Sequence, residues 1–320
     1  MRRETPGGAG RRERAALGRR VAAPGMSRVA ATLAPAKLNL FLRVFDRRPD
    51  GYHELETLFQ AIDLADEVLV ERGGGSVELE VRGADLGPVE DNLAHRAAAR
   101  LLVEARISEG VRITLTKRIP AGAGLGGGSS DAAATLRCVA LLFEISSEDT
   151  LMRRIAAEVG SDVPFFLCGS PLAAGRGRGE VLEPFEHLPE AHVVLVTPPV
   201  HVSTAWAYRA LDDARRKHRE WGGRTLRGQP RSWEDVAGEA HNDFQDVVTK
   251  QHPEVARSLA ALAKAGAELA LMSGSGAASF GLFPDRAATE RAAETLSAEL
   301  GWACTAVRTL TALPVAMGGV

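Results

Sequence analysis

The sequence predicts an α+β fold, and three observations carry that prediction. Apolar residues alternate with polar ones in several short segments, which is typical of half-buried strands. Other segments repeat their apolar residues with helical spacing. Strands and helices do not alternate strictly, as they would in a doubly wound parallel sheet. The 320 residues, 45% hydrophobic and 25% charged, suffice for one large domain or two of ordinary size.

The N-terminal half is predicted to contain both kinds of element. Strands are expected at 36–44, 64–70, 77–81 and 111–115, and helices at 91–104, 131–143 and 148–159. In the first strand, apolar side chains alternate with Lys37, Asn39 and Phe41, so these three are expected on the opposite face. An Arg-Pro-Asp-Gly turn follows, directly before Tyr52 and His53.

The C-terminal half is also predicted to contain both strands and helices. Strands are expected at 193–196, on both sides of a Ser-Gly-Ser-Gly turn at 273–276, and at 304–310. Helices are expected at 253–266 and 286–300. Residues 211–237 are polar, and we expect mostly loops there.

The charges exclude two classes of partner. There are 39 basic and 41 acidic residues, so the formal charge is −2 and no field over the whole chain would attract nucleic acid or an anionic membrane. Every apolar run is too short to cross a bilayer. Residues 1–26 are rich in Arg, Gly and Ala; we expect a disordered tail, or a start of translation at Met26.

The three cysteines indicate a reducing compartment. Cys138, Cys168 and Cys304 are odd in number and far apart, without the spacing of a disulfide framework or a metal site. We therefore expect free thiols in a cytoplasmic protein.

A glycine-rich segment at 120–130 is the strongest functional signal. It follows a predicted strand and opens a helix, where glycines allow backbone N–H groups to approach a phosphate and the helix terminus is partly positive. The alternative is a flexible turn capped by a serine.

The kind of nucleotide that this segment would bind is only partly defined. Gly122, Gly124 and Gly127 satisfy a dinucleotide-type spacing, but a helix follows where that fold needs a second strand and an acidic residue. The lysine of a Walker A loop and the motifs of protein kinases are absent from the sequence. A different nucleotide loop is therefore predicted.

Lys37 and Asp162 are candidates for phosphoryl transfer to an alcohol. Such a reaction needs a carboxylate that accepts the hydroxyl proton and a cation that stabilises the forming alkoxide. Only five of the 39 basic residues are lysines, so a lysine inside an apolar strand is notable. The alternatives are a solvated strand residue for Lys37 and a helix cap for Asp162. Tyr52 and His53 are candidates to contact a base, or are ordinary loop residues.

Several stretches, in order, resemble one known superfamily. They are Ala-Pro-Ala-Lys-Leu-Asn-Leu at 34–40, Arg-Pro-Asp-Gly-Tyr-His at 48–53, the glycine segment at 120–130, Gly-Ser-Asp-Val-Pro-Phe-Phe at 160–166 and Met-Ser-Gly-Ser-Gly at 272–276. Together they resemble the galactokinase, homoserine kinase, mevalonate kinase and phosphomevalonate kinase superfamily. The segments around Lys37 and His53 resemble its branch that acts on a cytidine diphosphate-linked methylerythritol.

The resemblance implies roles for individual residues. Asp162 would be the base and would also contact the substrate, and Lys37 would polarise the acceptor hydroxyl. Asn39, Tyr52, His53 and Tyr208 would bind the substrate, with Trp206 close to Tyr208. ATP would be bound by Asn92, Leu93 and Lys117 in the adenine pocket, and by Pro120, Ala121, Gly122, Ala123, Gly124, Leu125, Gly126, Gly127, Gly128, Ser129 and Ser130 around the phosphates. Ser130 would also lie near a Mg²⁺ ion.

The resemblance also implies an architecture. An ATP-binding domain at 27–170 would be like the second domain of ribosomal protein S5, and a substrate-side domain at 171–320 would be ferredoxin-like, with the active site in the cleft between them. We expect a monomer or a weak homodimer, with no nucleic-acid or membrane partner. Three alternatives stay open: a sister kinase for homoserine or a mevalonate, a dinucleotide-dependent oxidoreductase, and a non-catalytic nucleotide-binding module.

Overall fold

The computed structural model describes residues 28–146, 150–217 and 225–319. The strands are β1 (Val29–Arg47), β2 (His53–Arg72), β3 (Val77–Arg82), β4 (Val111–Thr116), β5 (Leu172–Arg176), β6 (Val181–Pro184), β7 (His192–Thr197), β8 (His241–Asn242), β9 (Leu269–Met272), β10 (Ser279–Phe283), β11 (Ala303–Arg308) and β12 (Met317–Gly319). The helices are α1 (Leu93–Glu104), α2 (Gly127–Leu142), α3 (Thr150–Val159), α4 (Thr204–Lys217), α5 (Trp233–Glu239), α6 (Gln245–Gln251), α7 (Pro253–Lys264) and α8 (Arg286–Leu300). Short 3₁₀ turns lie at Val89–Asp91 and Pro164–Leu167. The predicted tail at 1–26 and the predicted helix start at residue 148 lie outside the described residues.

The strands form two sheets. In the first sheet the order is β12-β1-β2-β4-β3, with β5 and β6 continuing beside β2 and β8 pairing with β1. The long antiparallel pair of β1 and β2 runs through its centre. The second sheet is antiparallel, in the order β11-β7-β10-β9. Mixed helices and sheets of this kind agree with the predicted α+β class.

The layers follow from where the apolar side chains lie. Helices α1, α2 and α3 cover one face of the first sheet through residues such as Leu101 and Leu136. The other face of that sheet packs against the second sheet, where Ile62, Leu195 and Phe280 are buried. Helices α7 and α8 cover the outer face of the second sheet. The order is therefore helices, sheet, sheet, helices, with an apolar core at each interface.

A separate apolar cluster places α4 beside the ends of β1 and β2. Ala207 and Leu211 on α4 are buried with Leu42 on β1 and Phe244 before α6. Residues 211–217 were predicted to be loop but continue α4, and α5 is a second helix in that region. The helix forms because Ala207, Leu211 and Ala214 recur on one face at helical spacing, while the polar residues between them face outward.

The first strand is longer than predicted and is not regular. Its residues 34–44 are buried on both faces, and β-bulges interrupt its pairing with β2, one of them between Asn39 and Phe41. Because a bulge shifts the alternation by one residue, Phe41 packs in the core between the sheets, and Leu42 joins Lys37 and Asn39 in lining the cleft. The expectation that Phe41 shares the face of Lys37 and Asn39 is therefore wrong.

Some strands after residue 170 belong to the first sheet rather than to the second. Strands β5 and β6 follow the predicted domain boundary at residue 170, yet they are hydrogen-bonded within the first sheet. The last strand, β12, also pairs with β1 of the first sheet. In the part of the chain that the structure describes, no helix is long and apolar enough to span a bilayer.

Candidate active site

The glycine segment at 120–130 packs tightly against two neighbouring segments. At Gly124, φ is +79°, and a Cβ atom there would collide with the backbone carbonyl of Ser273. At Gly126, φ is +71°, and a Cβ atom would lie 3.0 Å from Cγ of Lys37. Only glycine tolerates both the conformation and the close approach. Buried Ala123 and Leu125 anchor the segment, since Leu125 accepts a hydrogen bond from Lys37 N.

Helix α2 begins earlier than predicted and without the predicted serine cap. Its first residue is Gly127 rather than Asp131, and Gly126 is the N-cap, with no side-chain cap bond among the described residues. The N–H groups of the first turn are therefore available to an anion, and the helix dipole favours negative charge there. Ser129 and Ser130 lie inside that turn. The Ser130 hydroxyl is buried and has no hydrogen-bond partner within the described part of the chain.

The Lys37 ammonium is buried beside the glycine segment and faces Asp162. The side chain is 4% exposed, and Nζ lies 3.6 Å from Asp162 Oδ2. Nζ also donates to Asn39 Oδ1 at 2.5 Å and to the Gly124 carbonyl at 3.0 Å. Burial lowers the pKa of Lys37, and the charge of Asp162 opposes that change. The structure thus brings the two predicted catalytic side chains together.

Asn39 contacts Lys37 through one end of its amide and the sheet through the other. Its Nδ2 donates to Thr57 Oγ1 at 2.8 Å, and Thr57 donates to the Phe41 carbonyl at 2.8 Å. All three side chains are buried. Asn39 thus accepts a hydrogen bond from the Lys37 ammonium and also lines the cleft, and its contact with substrate stays a prediction.

Lys117 lies in a buried ion cluster that the sequence did not reveal. Its side chain is 4% exposed, and its ammonium contacts carboxylates of Asp66 and Asp131. Asp66 also accepts backbone hydrogen bonds from Arg118 and Ile119 at the start of the glycine segment. The ammonium therefore already has two carboxylate partners, and the placement of Lys117 in an adenine pocket stays a prediction.

The other two predicted adenine contacts lie at the start of α1. The Asn92 side chain accepts a hydrogen bond from Ala94 N at 2.9 Å and caps the helix. Leu93 Cδ1 would lie 3.7 Å from a Cβ atom at Gly128 or at Gly160, so it packs between the first turn of α2 and the segment that carries Asp162. Both residues are thus adjacent to the candidate phosphate site.

The two tyrosines of the chain, Tyr52 and Tyr208, line the same cleft. Tyr52 is 54% exposed at the start of β2, and Tyr208 lies on α4. The His53 ring stacks on Tyr208 with centroids 4.9 Å apart, and His53 Nε2 lies 2.9 Å from Asp212 Oδ1. Trp206 packs edge-on against His252, so Tyr208 is the aromatic of this pair that faces the cleft.

The cleft joins these groups into one cavity of about 860 Å³. Lys37, Asn39, Asp162 and the tyrosines line it, together with Gly124 and Gly126. The Ser-Gly-Ser-Gly turn closes another side, since Ser273 Oγ donates to the Gly124 carbonyl at 3.1 Å. The predicted base-contacting residues, the Lys37–Asp162 pair and the glycine segment thus share one space.

Sequence reasoning missed several polar residues of this region. Asp66 is an acid in a predicted apolar strand and Asp131 opens a predicted apolar helix, which were signals that something pairs with them. Asp212 and Thr57 gave no such signal, because their partners are distant in sequence. No group of three or more His, Cys, Asp or Glu side chains placed to bind a metal occurs among the described residues.

Comparison with known proteins defines first a class. The family model for the GHMP kinases N terminal domain matches residues 92–170, and the model for GHMP kinases C terminal matches residues 224–301. A crystal structure of homoserine kinase from Cytophaga hutchinsonii aligns at 18% identity, covering 92% of this chain and 98% of that one, with a TM-score of 0.63. That distant likeness shows the fold.

Closer relatives define a family. The 4-diphosphocytidyl-2-C-methyl-D-erythritol kinase of Geobacter sp. (strain M21) is 41% identical over 87% of this chain and 98% of the relative. That of Solibacter usitatus is 43% identical over 84% and 86%. A crystal structure of 4-(cytidine 5'-diphospho)-2C-methyl-D-erythritol kinase aligns at 38% identity over 91% of this chain and 100% of that one, with a TM-score of 0.73. The chain belongs to the 4-diphosphocytidyl-2-C-methyl-D-erythritol kinase family.

The buried Asp131 makes the stability of the protein depend on pH near neutrality. Burial raises the pKa of Asp131 to about 7. A carboxyl whose pKa is raised by folding contributes stability that is fully present below its ordinary pKa of about 4 and is lost progressively as the pH rises to about 7. Between pH 6 and pH 8 we expect the wild type to lose roughly 1 kcal/mol more of its free energy of unfolding than Asp131→Asn does.

Urea unfolding at pH 6, 7 and 8 measures this difference. The pH slope is the readout, because the substitution also alters the pairing with Lys117. The exposed Asp213→Asn on α4 is the matched control and should keep the wild-type slope. An unchanged slope in Asp131→Asn would show that Asp131 is not the titrating group.

Proposed function

We propose that this chain transfers the γ-phosphoryl group of ATP to the 2-hydroxyl of 4-diphosphocytidyl-2-C-methyl-D-erythritol, a step of non-mevalonate isoprenoid precursor synthesis. The family consists of kinases, and relatives that cover most of the chain are named for this substrate. The observation that carries the proposal is the buried Lys37 ammonium 3.6 Å from Asp162, next to the glycine segment.

Asp162 is the proposed base. Its side chain is about one-third exposed and lines the cleft, so an acceptor hydroxyl can reach it. In the reaction the hydroxyl oxygen forms a bond to the γ-phosphorus, the bond to ADP breaks, and the hydroxyl proton passes to the carboxylate. Lys37 donates toward the oxygen on which negative charge develops, and Asn39 holds it in place.

The glycine segment and the first turn of α2 are the proposed site for the phosphates of ATP, with Asn92 and Leu93 beside it. Backbone N–H groups there supply hydrogen bonds without long cationic side chains. The residues also fit a Mg²⁺ ion, because Mg²⁺ takes few protein ligands alongside phosphate oxygens and the Ser130 hydroxyl is unpartnered among the described residues. When bound, the ion neutralises charge on the phosphates.

Tyr52, His53 and Tyr208 are the proposed contacts for the cytosine base. The exposed ring of Tyr52 offers a stacking surface, whereas His53 covers one face of Tyr208. Because Asp212 accepts from Nε2, neutral His53 presents Nδ1 as an acceptor. Such an acceptor suits the amino group of cytosine and disfavours the carbonyl group at the same position of uracil.

The two sheets are the proposed cores of the two domains. The first corresponds to the domain like that of ribosomal protein S5 and the second to the ferredoxin-like domain, with the active site in the cleft between them. Sheet pairing supports a discontinuous first domain that also includes β5, β6 and β12.

The alternatives have less support. Relatives that are 41–43% identical are named for the cytidyl substrate, which favours it over homoserine or a mevalonate. A dinucleotide site needs a strand after α2, and α3 lies there instead. A coupled assay with ATP and the cytidyl substrate tests the proposal, with homoserine and mevalonate as controls; turnover of a control but not of the cytidyl substrate would overturn it.

Asp162→Asn should lower kcat by roughly 10²- to 10⁴-fold, because the amide cannot accept the hydroxyl proton. The KM for ATP should change little, since the lost interaction acts in the transition state. Steady-state kinetics measure both, with the exposed Asp213→Asn as the control. More than about a tenth of the wild-type kcat in Asp162→Asn would exclude the role of base.

Lys37→Arg should lose nearly as much kcat as Lys37→Ala. The Lys37 side chain is packed against Gly126, and a guanidinium is larger and planar, so it displaces the acceptor hydroxyl by a distance that typically costs about 10²-fold. The exposed Lys250→Arg on α6 is the matched control. Near-wild-type kcat in Lys37→Arg would leave Lys37 with only a diffuse electrostatic effect.

Asp212→Ala should reduce the preference for cytidine over uridine nucleotides. Without the carboxylate, His53 is free to present a donor to the base, so the ratio of the Kd for UDP to the Kd for CDP should fall about tenfold. Calorimetric titration measures both constants, and Asp213→Ala, the next residue on α4, serves as the control. An unchanged ratio would show that Asp212 does not contribute to the selection of cytosine over uracil.

A further inference from the structure

The turn between β5 and β6 reaches the cleft on the side of Tyr52. Two hydrogen bonds fix it to β2: Leu55 N donates to the Gly177 carbonyl at 2.8 Å, and Gly177 N donates to Glu54 Oε1 at 2.9 Å. Both Gly177 and Gly179 have positive φ, which bends the chain sharply around Arg178. The position of Arg178 is therefore set by a tight, well-anchored turn.

Arg178 lies between two parts of the proposed acceptor site. Its guanidinium carbon is 4.9 Å from the centroid of the Tyr52 ring and covers one face of it. The neighbouring residue is close to the proposed base, since a Cβ atom at Gly179 would lie 3.9 Å from Asp162 Oδ1. Arg178 itself lines the cleft. Arg178 thus lies between the ring of Tyr52 and the carboxylate of Asp162, on the side from which a ligand would contact both.

The hydrogen-bonding capacity of Arg178 is only partly used. Nε lies 3.4 Å from Glu180 Oε1, and the backbone N donates to Glu180 Oε2 at 2.6 Å. Within the described ranges, its two terminal nitrogens donate to no other residue. Arg176, two residues earlier, differs: it pairs with Glu56 and Glu183 and does not line the cleft.

The proposed acceptor contains a diphosphate, whose oxygens could accept hydrogen bonds from the terminal nitrogens of Arg178. The substrate named for the relatives joins its base to its alcohol through a diphosphate. With the base on Tyr52 and the alcohol at Asp162, the diphosphate falls between them. Lys37 is already engaged by Asn39, Gly124 and Asp162. A planar guanidinium with free terminal donors matches phosphate oxygens well.

We propose that Arg178 binds the diphosphate of the acceptor and, by covering one face of Tyr52, holds that ring as a stacking surface for the base. This inference rests on the proposed function. It assigns a binding residue to the diphosphate, which the proposed contacts to the cytosine and to the alcohol do not reach.

Calorimetric titrations of cytidine, CMP and CDP test the proposal without turnover. Wild-type protein should bind CDP more tightly than cytidine. Arg178→Gln should weaken the binding of CDP by roughly tenfold or more, and the binding of cytidine by less than about threefold. Arg178→Lys should recover part of the loss for CDP, since it keeps the charge but not the planar donors. Arg176→Gln, at the end of β5 two residues before Arg178, is the matched control and should bind all three ligands as the wild type does.

Kinetics give an independent readout. Arg178→Gln should raise the KM for the acceptor while the kcat and the KM for ATP stay within about twofold, as expected for a group that binds substrate and transition state alike. An unchanged KM for ATP also shows that the variant is folded.

The outcomes separate this inference from the proposed function. If Arg178→Gln weakened the binding of cytidine and CDP equally, or weakened neither, the role of Arg178 in diphosphate binding would be overturned. Failure of the wild type to phosphorylate the cytidyl substrate would overturn the proposed function. Selective loss of CDP affinity in Arg178→Gln would support the diphosphate site even then.

Discussion

The burial of the Lys37 ammonium is the constraint on which the arrangement of the cleft depends. Moving a charged amine out of water costs several kcal/mol unless other groups compensate. Here Asn39, the Gly124 carbonyl and Asp162 compensate, and they come from β1, the glycine segment and the turn after α3. Each of these segments must be in place for the ammonium to be satisfied. The contacts of Lys37, which with Asp162 forms the proposed catalytic pair, therefore also constrain how the segments around it pack.

The glycine segment is constrained from its other side by a second buried ammonium. Lys117 contacts Asp66 and Asp131, and Asp66 also accepts from backbone groups that enter the segment. Two of the only five lysines among the 39 basic residues thus have buried side chains beside the same segment. A compact ammonium fits among these closely spaced partners, where a guanidinium would need more space. The preference for lysine at these positions has a steric cause.

Local patterns predicted much of the fold and only part of the site. Alternation located the strand that carries Lys37, and glycine density located the glycine segment, because both signals lie within a few residues of the feature. The shift of Phe41 into the core was not predictable, since a bulge leaves no mark in the alternation of β1. The second half of helix α4 was missed because five of the seven residues at 211–217 are charged, although Ala207 and Leu211 pack at helical spacing.

Contacts between distant segments set the limit of sequence reasoning about the site. Asp212 meets His53 across 159 positions, and Arg178 meets Tyr52 through a turn whose direction depends on hydrogen bonds to β2. Neither contact has a local signal. The resemblance to known kinases supplied the residues that sit in recognisable motifs, whereas these two lie outside them.

We propose that the two ends of the cleft recognise phosphate by different physical means. At the ATP end, main-chain N–H groups of a helix terminus are rigid and carry no formal charge, so they can hold a triphosphate without competing with Lys37 for Asp162. At the proposed acceptor end, the Arg178 guanidinium lies on an anchored turn and carries a full charge. In this proposal the Lys37 ammonium stays buried and paired with Asp162, whereas the more exposed Arg178 affects binding more than chemistry.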